Sequence, residues 1–386
     1  MKILFLDSPA FAKLDMLDAF HQCGISTDLF MHEDYRERKS ASYEAAFDLA
    51  VAQVQYDFVF SFNFFPVLAS CCHKHNLKYV SYIYDSPLVT LYSFTITYPT
   101  NYIFLFDRPV YEQLKNGGIS TVYYLPLAAN PSRLASMKVP EELQPKLRSE
   151  ISFVGALYNE DHLLYERLIQ NVSPFTNGYL SAIIAAQQQV YGSFFIEELL
   201  TGDILKDLMQ SVPYDRNSDG IETPAYVYAH YFIARKIAEL DRTRELNLLS
   251  QQHEVRLFTN NPTPQLPQVK NMGSVDYYDM MPLIFQHSKI NLNITLRSIQ
   301  TGIPLRAFDI MGSGGFLLSN YQEDFYHCFV PGEDCVLFSS DDEMLSLADY
   351  YLAHEKERAQ IAANGLGKIT DQHTYVHRIH TMLGII

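Results

Sequence analysis

Residues 289–318 read KINLNITLRSIQTGIPLRAFDIMGSGGFLL. Ile290, Leu292 and Ile294 alternate with polar residues, which predicts a strand from Lys289 to Thr295. Leu296 to Gly302 is then a loop, and Pro304 opens a helix. A strand feeding a helix N-terminus presents unpaired backbone N–H groups and the positive end of the helix dipole. Arg297 and Arg306 add two permanent cations beside it, so the expected ligand group is a phosphate. Asp309 stands about 7.5 Å beyond Pro304 along the helix axis, at 1.5 Å per residue, far enough past a phosphate to meet a ribose hydroxyl. Gly312-Ser-Gly-Gly315 stops the helix, and Phe316 to Ser319 reads as a buried strand.

A chain of 386 residues is long for one domain and comfortable for two. Hydrophobic residues at 48% and charged ones at 19% describe an ordinary globular composition, with no disordered or collagen-like bias. The net charge of −15 repels nucleic acid and anionic lipid, so an anionic ligand must be captured by a local basic site; the same acidity also serves solubility. No apolar run reaches about eighteen residues, and MKILFLDSPAF is a short strand pattern broken at Asp7 and Pro9 rather than a signal peptide. The expectation is a cytoplasmic protein without a transmembrane segment. Cysteines at 23, 71, 72, 328 and 335 give no disulfide framework and suit a reducing compartment.

From Lys2 to Leu127 apolar strands alternate with helical segments, which predicts a doubly wound parallel α/β sheet. Its ligand edge would carry Asp7-Ser-Pro9, Ser61-Phe-Asn63 and Asp85-Ser-Pro87. No G-x-G-x-x-G follows the first strand, so no dinucleotide cofactor is expected there. Asp85 admits two readings: a carboxylate that takes or relays a proton from an attacking hydroxyl, or an ordinary turn before Ser-Pro. Cys71 and His75 share a helical face, but no second Cys/His pair is spaced to complete a zinc site; packing and helix capping are the alternative. Prolines 131, 140 and 145 break the alternation over 128–150, and a new strand, Ile151 to Val154, ends at Gly155. Residues 161–252 carry helical periodicity and read as an insertion, with Asp215–Gly220 as an exposed loop. Tyr226, Tyr228, Tyr231 and Phe232 within it fit a core or a partner surface, or else a sugar platform.

Five stretches, YDSP (84–87), NLNIT (291–295), GIPLRAFDIMGSGGF (302–316), FVPGEDCVLF (329–338) and HTYVHRIHTML (373–383), resemble the GT-B glycosyltransferases, specifically the bacterial group related to the spore-maturation protein CgeB. The resemblance implies two Rossmann-like domains facing across a cleft: an acceptor-side domain at 1–138, a linker at 139–150, and a nucleotide-sugar domain at 151–370 with the insertion at about 161–252. Residues 371–386 would form a helix packing back on the first domain. It further implies Asp85 as the catalytic residue and Gly155, Arg297, Gly302, Arg306, Asp309, Gly314 and Gly315 as donor-binding residues. Gly302 stands where related retaining enzymes carry a second acid that contacts the sugar. The implied activity moves a sugar from a nucleotide diphosphate, a UDP-hexose or UDP-N-acetylhexosamine, to a hydroxyl on a polysaccharide, protein or small molecule. Retention of configuration, no metal and no cofactor are the accompanying expectations. A nucleotide-sugar epimerase on the same fold and a non-catalytic nucleotide-sugar-binding scaffold are the alternatives.

Overall fold

The computed structural model describes residues 1–137, 139, 141–142, 144–160 and 164–386. They form two compact units, one of residues 1–127, 215–223 and 374–386, the other of 128–214 and 224–373. The boundary falls after Leu127 rather than at 138. A helix, Pro131–Ser136, precedes the stretch read as linker, and its Leu134 lies within 3.1 Å of where a Cβ on Gly312 would sit.

The first unit holds parallel strands β1 (Lys2–Leu6), β2 (Ser26–Phe30), β3 (Phe58–Phe62), β4 (Tyr79–Tyr82), β5 (Asn101–Leu105) and β6 (Val122–Tyr124) in the order β2-β1-β3-β4-β5-β6. Every residue of the β3 run Phe-Val-Phe-Ser-Phe is buried, as a strand covered on both faces requires. Phe5, Phe20, Phe60 and Phe62 pack edge-on and tilted on one side; Leu4, Val59, Phe47 and Leu68 belong to the core of the other. The last helix, Tyr375–Leu383, belongs to this unit. Its Arg378 donates to the carbonyls of Pro126 (2.8 Å) and Leu127 (2.9 Å). The segment 215–223 belongs to this unit; of the loop Asp215–Gly220 expected to be exposed, residues 215–218 are exposed and Asp219 anchors it. The Asp219 carboxylate accepts from Ser93 Oγ at 2.8 Å and Arg38 at 3.3 Å, and Ile221 N–H donates to Tyr92 O.

The second unit holds β7 (Ser149–Val154), β8 (Val255–Phe258), β9 (Lys270–Asn271), β10 (Ser288–Asn293), β11 (Leu317–Asn320) and β12 (Val336–Phe338), parallel and in the order β12-β11-β10-β7-β8-β9. The helical insertion has its own core of Leu168, Leu180, Ile196, Leu208, Ile233 and Ile237. The alternation that marked β10 as a strand puts Ile290 and Leu292 in the main core and sends Asn291 and Asn293 to an equally buried polar face. Asn291 accepts from Ser152 Oγ (2.8 Å) and donates to Phe285 O (3.0 Å). Asn293 donates to Ser319 Oγ (2.9 Å), and Asn320 accepts from Thr295 N–H (2.7 Å). Buried amides persist only when paired in this way.

The helix Leu305–Gly312 begins after Pro304 and ends at Gly314, whose φ of +77° suits glycine. At Gly315 a Cβ would stand 2.7 Å from Asn291 Nδ2 and 2.8 Å from Phe285 O, closer than real Cβ atoms come. Gly314 and Gly315 thus serve the helix stop and its docking on β10. They lie at the negative end of the helix, roughly 12 Å from its N-terminus at 1.5 Å per residue, away from the end where a phosphate is expected. Gly315→Ala is expected to destabilise by about 1–3 kcal/mol through overpacking, read as a lowered midpoint in chemical denaturation; an unchanged midpoint would refute this packing role.

Candidate functional site

Open α/β sheets bind ligands beyond the carboxyl ends of their strands. In the second unit that edge is crossed by the long helix Ala234–Ser250. Its side chains Asp241, Arg242 and Glu245 are buried, at 1%, 8% and 0% exposure. Arg242 reaches the ends of two neighbouring strands, donating from Nη1 to Ala156 O just past β7 and from Nη2 to Ile294 O just past β10 (2.7 Å). Its guanidinium also lies over the rings of Phe153 (5.2 Å) and Tyr158 (4.7 Å), and its buried Nε–H has no partner among the described residues. Burial lowers its pKa and the charge of Arg306 adds to the effect. A guanidinium nonetheless stays protonated at neutral pH.

Arg306 occupies the first turn of Leu305–Gly312. Its hydrogen-bond partner is the soft sulfur of Met281, and Phe285 lies 5.8 Å below it. Burial lowers its pKa while Asp309 and the Tyr277 hydroxyl raise it. Among the described residues neither Arg242 nor Arg306 is in an ion pair within 4.0 Å. Asp309 is 3% exposed and its Oδ1 accepts from the Tyr277 hydroxyl at 3.0 Å. Its charge is therefore turned toward Tyr277 and Arg306 inside the fold.

Arg297 is not part of this constellation. Its Nε donates to Asp241 Oδ2 (2.8 Å), Nη1 and Nη2 donate to Val190 O (3.2 Å) and Gln188 O (3.0 Å), and its centre lies 3.5 Å from the Tyr191 ring centroid. With 5% exposure and a carboxylate already in place, this arginine fastens the insertion to the loop after β10 and is committed away from any phosphate. Gly302 sits buried in that loop, its carbonyl accepting from Gln322 Nε2 at 3.0 Å. Gly155 donates its N–H to Phe258 O, so that group closes the sheet rather than facing a diphosphate. A Cβ there would meet only ordinary contacts, the nearest 3.4 Å away.

Sequence reading missed Arg242, Tyr158 and Tyr277. One signal for Arg242 was available: Ile237, Asp241, Glu245 and Leu249 share a helical stripe, as do Ala238, Arg242 and Leu246, so charges continue an apolar face. Tyr158 adopts φ +61°, a conformation an L-residue holds only when its surroundings over-determine it; its ring lies 4.7 Å from both Arg235 and Arg242.

In the first unit Asp85 follows β4 and is clasped by Asn63, which follows β3. Asn63 Nδ2 donates to Asp85 Oδ2 (2.8 Å), and Asn63 Oδ1 accepts from the N–H groups of Asp85 (3.0 Å) and Tyr84 (2.9 Å). Asn63 itself holds φ +59°, which asparagine tolerates. Desolvation raises the Asp85 pKa above its ordinary value and the Asn63 amide pulls it back. Asp7 is paired with Lys13 at 2.6 Å. His75, considered with Cys71 for a metal, bonds Asp48 at 2.6 Å while Cys71 is buried in the core. Among the described residues no group of three or more His, Cys, Asp or Glu could hold a metal ion, and no helix is long and apolar enough to cross a membrane.

Residues 233–384 match the model of a glycosyl transferase-like family. The chain carries a glycosyl transferase-like domain on a GT-B fold. The structure of sucrose-phosphate synthase from Thermosynechococcus elongatus is similar over 100% of this chain and 98% of that one, with 8% identity and a TM-score of 0.56. Anabaena Alr3699/HepE in complex with UDP and glucose matches over 100% of both chains at 11% identity and 0.55. An α,α-trehalose-phosphate synthase (UDP-forming) from Burkholderia vietnamiensis matches over 100% and 98% at 13% and 0.53. No curated protein matches in sequence. The two sheets match the fold of these neighbours, and the stretch that matches the glycosyl transferase-like model covers both the helix bearing Arg242 and the helix bearing Arg306.

Beneath Arg242, on the same helix, neither Glu245 oxygen accepts a hydrogen bond among the described residues, and Arg244 Nη2 stands 3.5 Å off. Burial, reinforced by the neighbouring charge of Asp241, pushes this carboxyl up to about 8 from 4.5. Between those values the folded chain holds a proton that the unfolded chain has lost, so stability falls as pH rises from about 4.5 to about 8. Glu245→Gln should flatten that decline, raising Tm relative to the parent at pH 8.5 and leaving the two close at pH 5. Parallel Tm curves across this range would show that the carboxyl is ionised in the fold.

Proposed function

We propose that this chain is a glycosyltransferase that transfers a sugar from a UDP-linked donor, a UDP-hexose or UDP-N-acetylhexosamine, to a hydroxyl acceptor, with the diphosphate held by Arg242 and Arg306. The observation that carries this is a buried arginine across the ends of β7 and β10 and a half-buried one in the first turn of the following helix, neither in a carboxylate ion pair among the described residues. A buried charge is costly unless something opposite compensates it. A diphosphate supplies that compensation and meets planar donors that bind oxyanions bidentately. The UDP nucleotide is favoured by neighbours of the same fold that are described with UDP and UDP-glucose.

As the bond from sugar to diphosphate breaks, negative charge grows on the leaving oxygen. Arg242, Arg306 and the N-terminus of Leu305–Gly312 are then already oriented toward it. Two fixed cations supply the charge stabilisation that a divalent ion gives in other transferases, which supports a metal-independent reaction. Asp309 takes the role of holding Tyr277 and balancing Arg306, and it stays the candidate to meet the ribose. On the first unit, Asp85, with its raised pKa and Asn63 clasp, is the candidate to receive the acceptor proton. Retention of configuration and kinship with the CgeB-like group rest on the motif text of 302–316 and 329–338.

Isothermal titration with UDP tests the donor site. Arg242→Gln and Arg306→Gln should each weaken binding about 10- to 150-fold, the range for hydrogen bonds to charged groups. Arg297→Gln should instead lower Tm and leave the affinity of folded protein unchanged; the reverse pattern would return the phosphate to Arg297. Asp85→Asn should keep UDP affinity and lower acceptor-dependent UDP release by about 10²–10⁴-fold. Formation of an isomeric UDP-sugar without acceptor would overturn the transfer reading in favour of epimerisation.

A further inference from the structure

The carboxyl edge of the first sheet carries an open pocket. Its floor comes from the loop after β2, with Arg36, Arg38 and Lys39, and from Val89 and Thr90 on the loop after β4; Asp219 contributes to the opposite wall. That wall is built firmly. Phe94 N–H donates to Asp219 O at 2.9 Å, Arg38 pairs with Asp219 at 3.3 Å and faces Glu222 at 3.9 Å, and Thr90 Oγ1 donates to Phe64 O at 2.7 Å. Arg38 is thereby neutralised by carboxylates of its own unit. Arg36 and Lys39 are exposed and, among the described residues, form no ion pair, in a chain whose net charge is −15. Glu37 is the opposing carboxylate in the lining, and Asn217 and Ser218 add uncharged hydrogen-bonding groups.

We propose that this pocket binds a phosphate monoester and that the acceptor is therefore a phosphorylated hydroxyl compound; this rests on the transferase reading above. Arg36 offers a planar fork and Lys39 a point charge to the phosphate oxygens, while Asn217 and Ser218 donate from the side. Val89 in the pocket lining follows Asp85 by four residues on the same loop, so the chain keeps the two within about 13 Å at 3.3 Å per residue. The phosphate would anchor the acceptor and leave a distal hydroxyl for Asp85.

Calorimetric titration of the full chain with glucose 6-phosphate, inorganic phosphate and glucose, with saturating UDP present, tests this. Both phosphates should bind, with glucose at least tenfold weaker. The double variant Arg36→Gln/Lys39→Gln should lose at least tenfold for both phosphates while keeping its UDP affinity and Tm, and Glu37→Gln should bind them more tightly. The proposal is overturned if neither phosphate binds the parent protein, if glucose binds equally well, or if phosphate binding falls with Arg306→Gln and not with the double variant. Should UDP itself fail to bind, the donor assignment fails separately, and the same titrations without UDP still decide the pocket.

Discussion

A guanidinium wedged between two strand ends is the constraint on which the second unit's chemistry depends. Arg242 is satisfied by the carbonyls of Ala156 and Ile294, groups that orient a cation without cancelling it. A carboxylate partner would have produced a neutral, finished ion pair, as Asp241 does for Arg297. Main-chain oxygens carry only partial charge, so Arg242 keeps most of its field, and low-dielectric surroundings strengthen it. The same helix thus carries Asp241, which neutralises Arg297 and fastens the fold, and next to it Arg242, which no carboxylate within 4.0 Å offsets among the described residues.

The arrangement also explains the acidic residue beneath. If Glu245 were ionised it would lie near Arg242 and compete with any anionic ligand; burial keeps it protonated at neutral pH and preserves the positive site. Asp309 is placed differently, raising the Arg306 pKa while engaged by Tyr277. The polar face of β10 supports the helix that carries both residues: Asn291 closes against Gly315 and Phe285, so the start of that helix is fixed by packing at its far end. A site assembled this way is preorganised, and electrostatic stabilisation of a departing charge needs that property.

The first unit follows the same logic with weaker forces. Asn63, in a left-handed conformation, gathers the backbone and carboxyl of Asp85 into one clasp at the ends of β3 and β4. The loop 215–223 departs from the insertion in sequence yet is held by Asp219 and Arg38 against strand-edge loops of this unit. Read along the chain, Asp215–Gly220 is legible as an exposed loop, and residues 215–218 are exposed, but its anchor through Asp219 is not legible there. A short polar segment has no periodicity to reveal its partner, and only the fold supplies Ser93 and Arg38.

Local pattern by itself determined the first parallel sheet, because strands buried on both faces need apolar runs, while the second came with the family resemblance; pattern also determined that the helix of 305–312 opens after Pro304 and stops before Gly314. It also carried Arg306 to the first turn of that helix, since spacing along a helix is fixed by covalent geometry. Tertiary structure alone decided which arginine stays uncommitted. Arg297 and Arg242 look alike in sequence, and the difference between them is the presence of Asp241 on one side and two backbone carbonyls on the other. Charge compensation is a property of neighbours in space, and the chain order that sets helices and strands does not contain it.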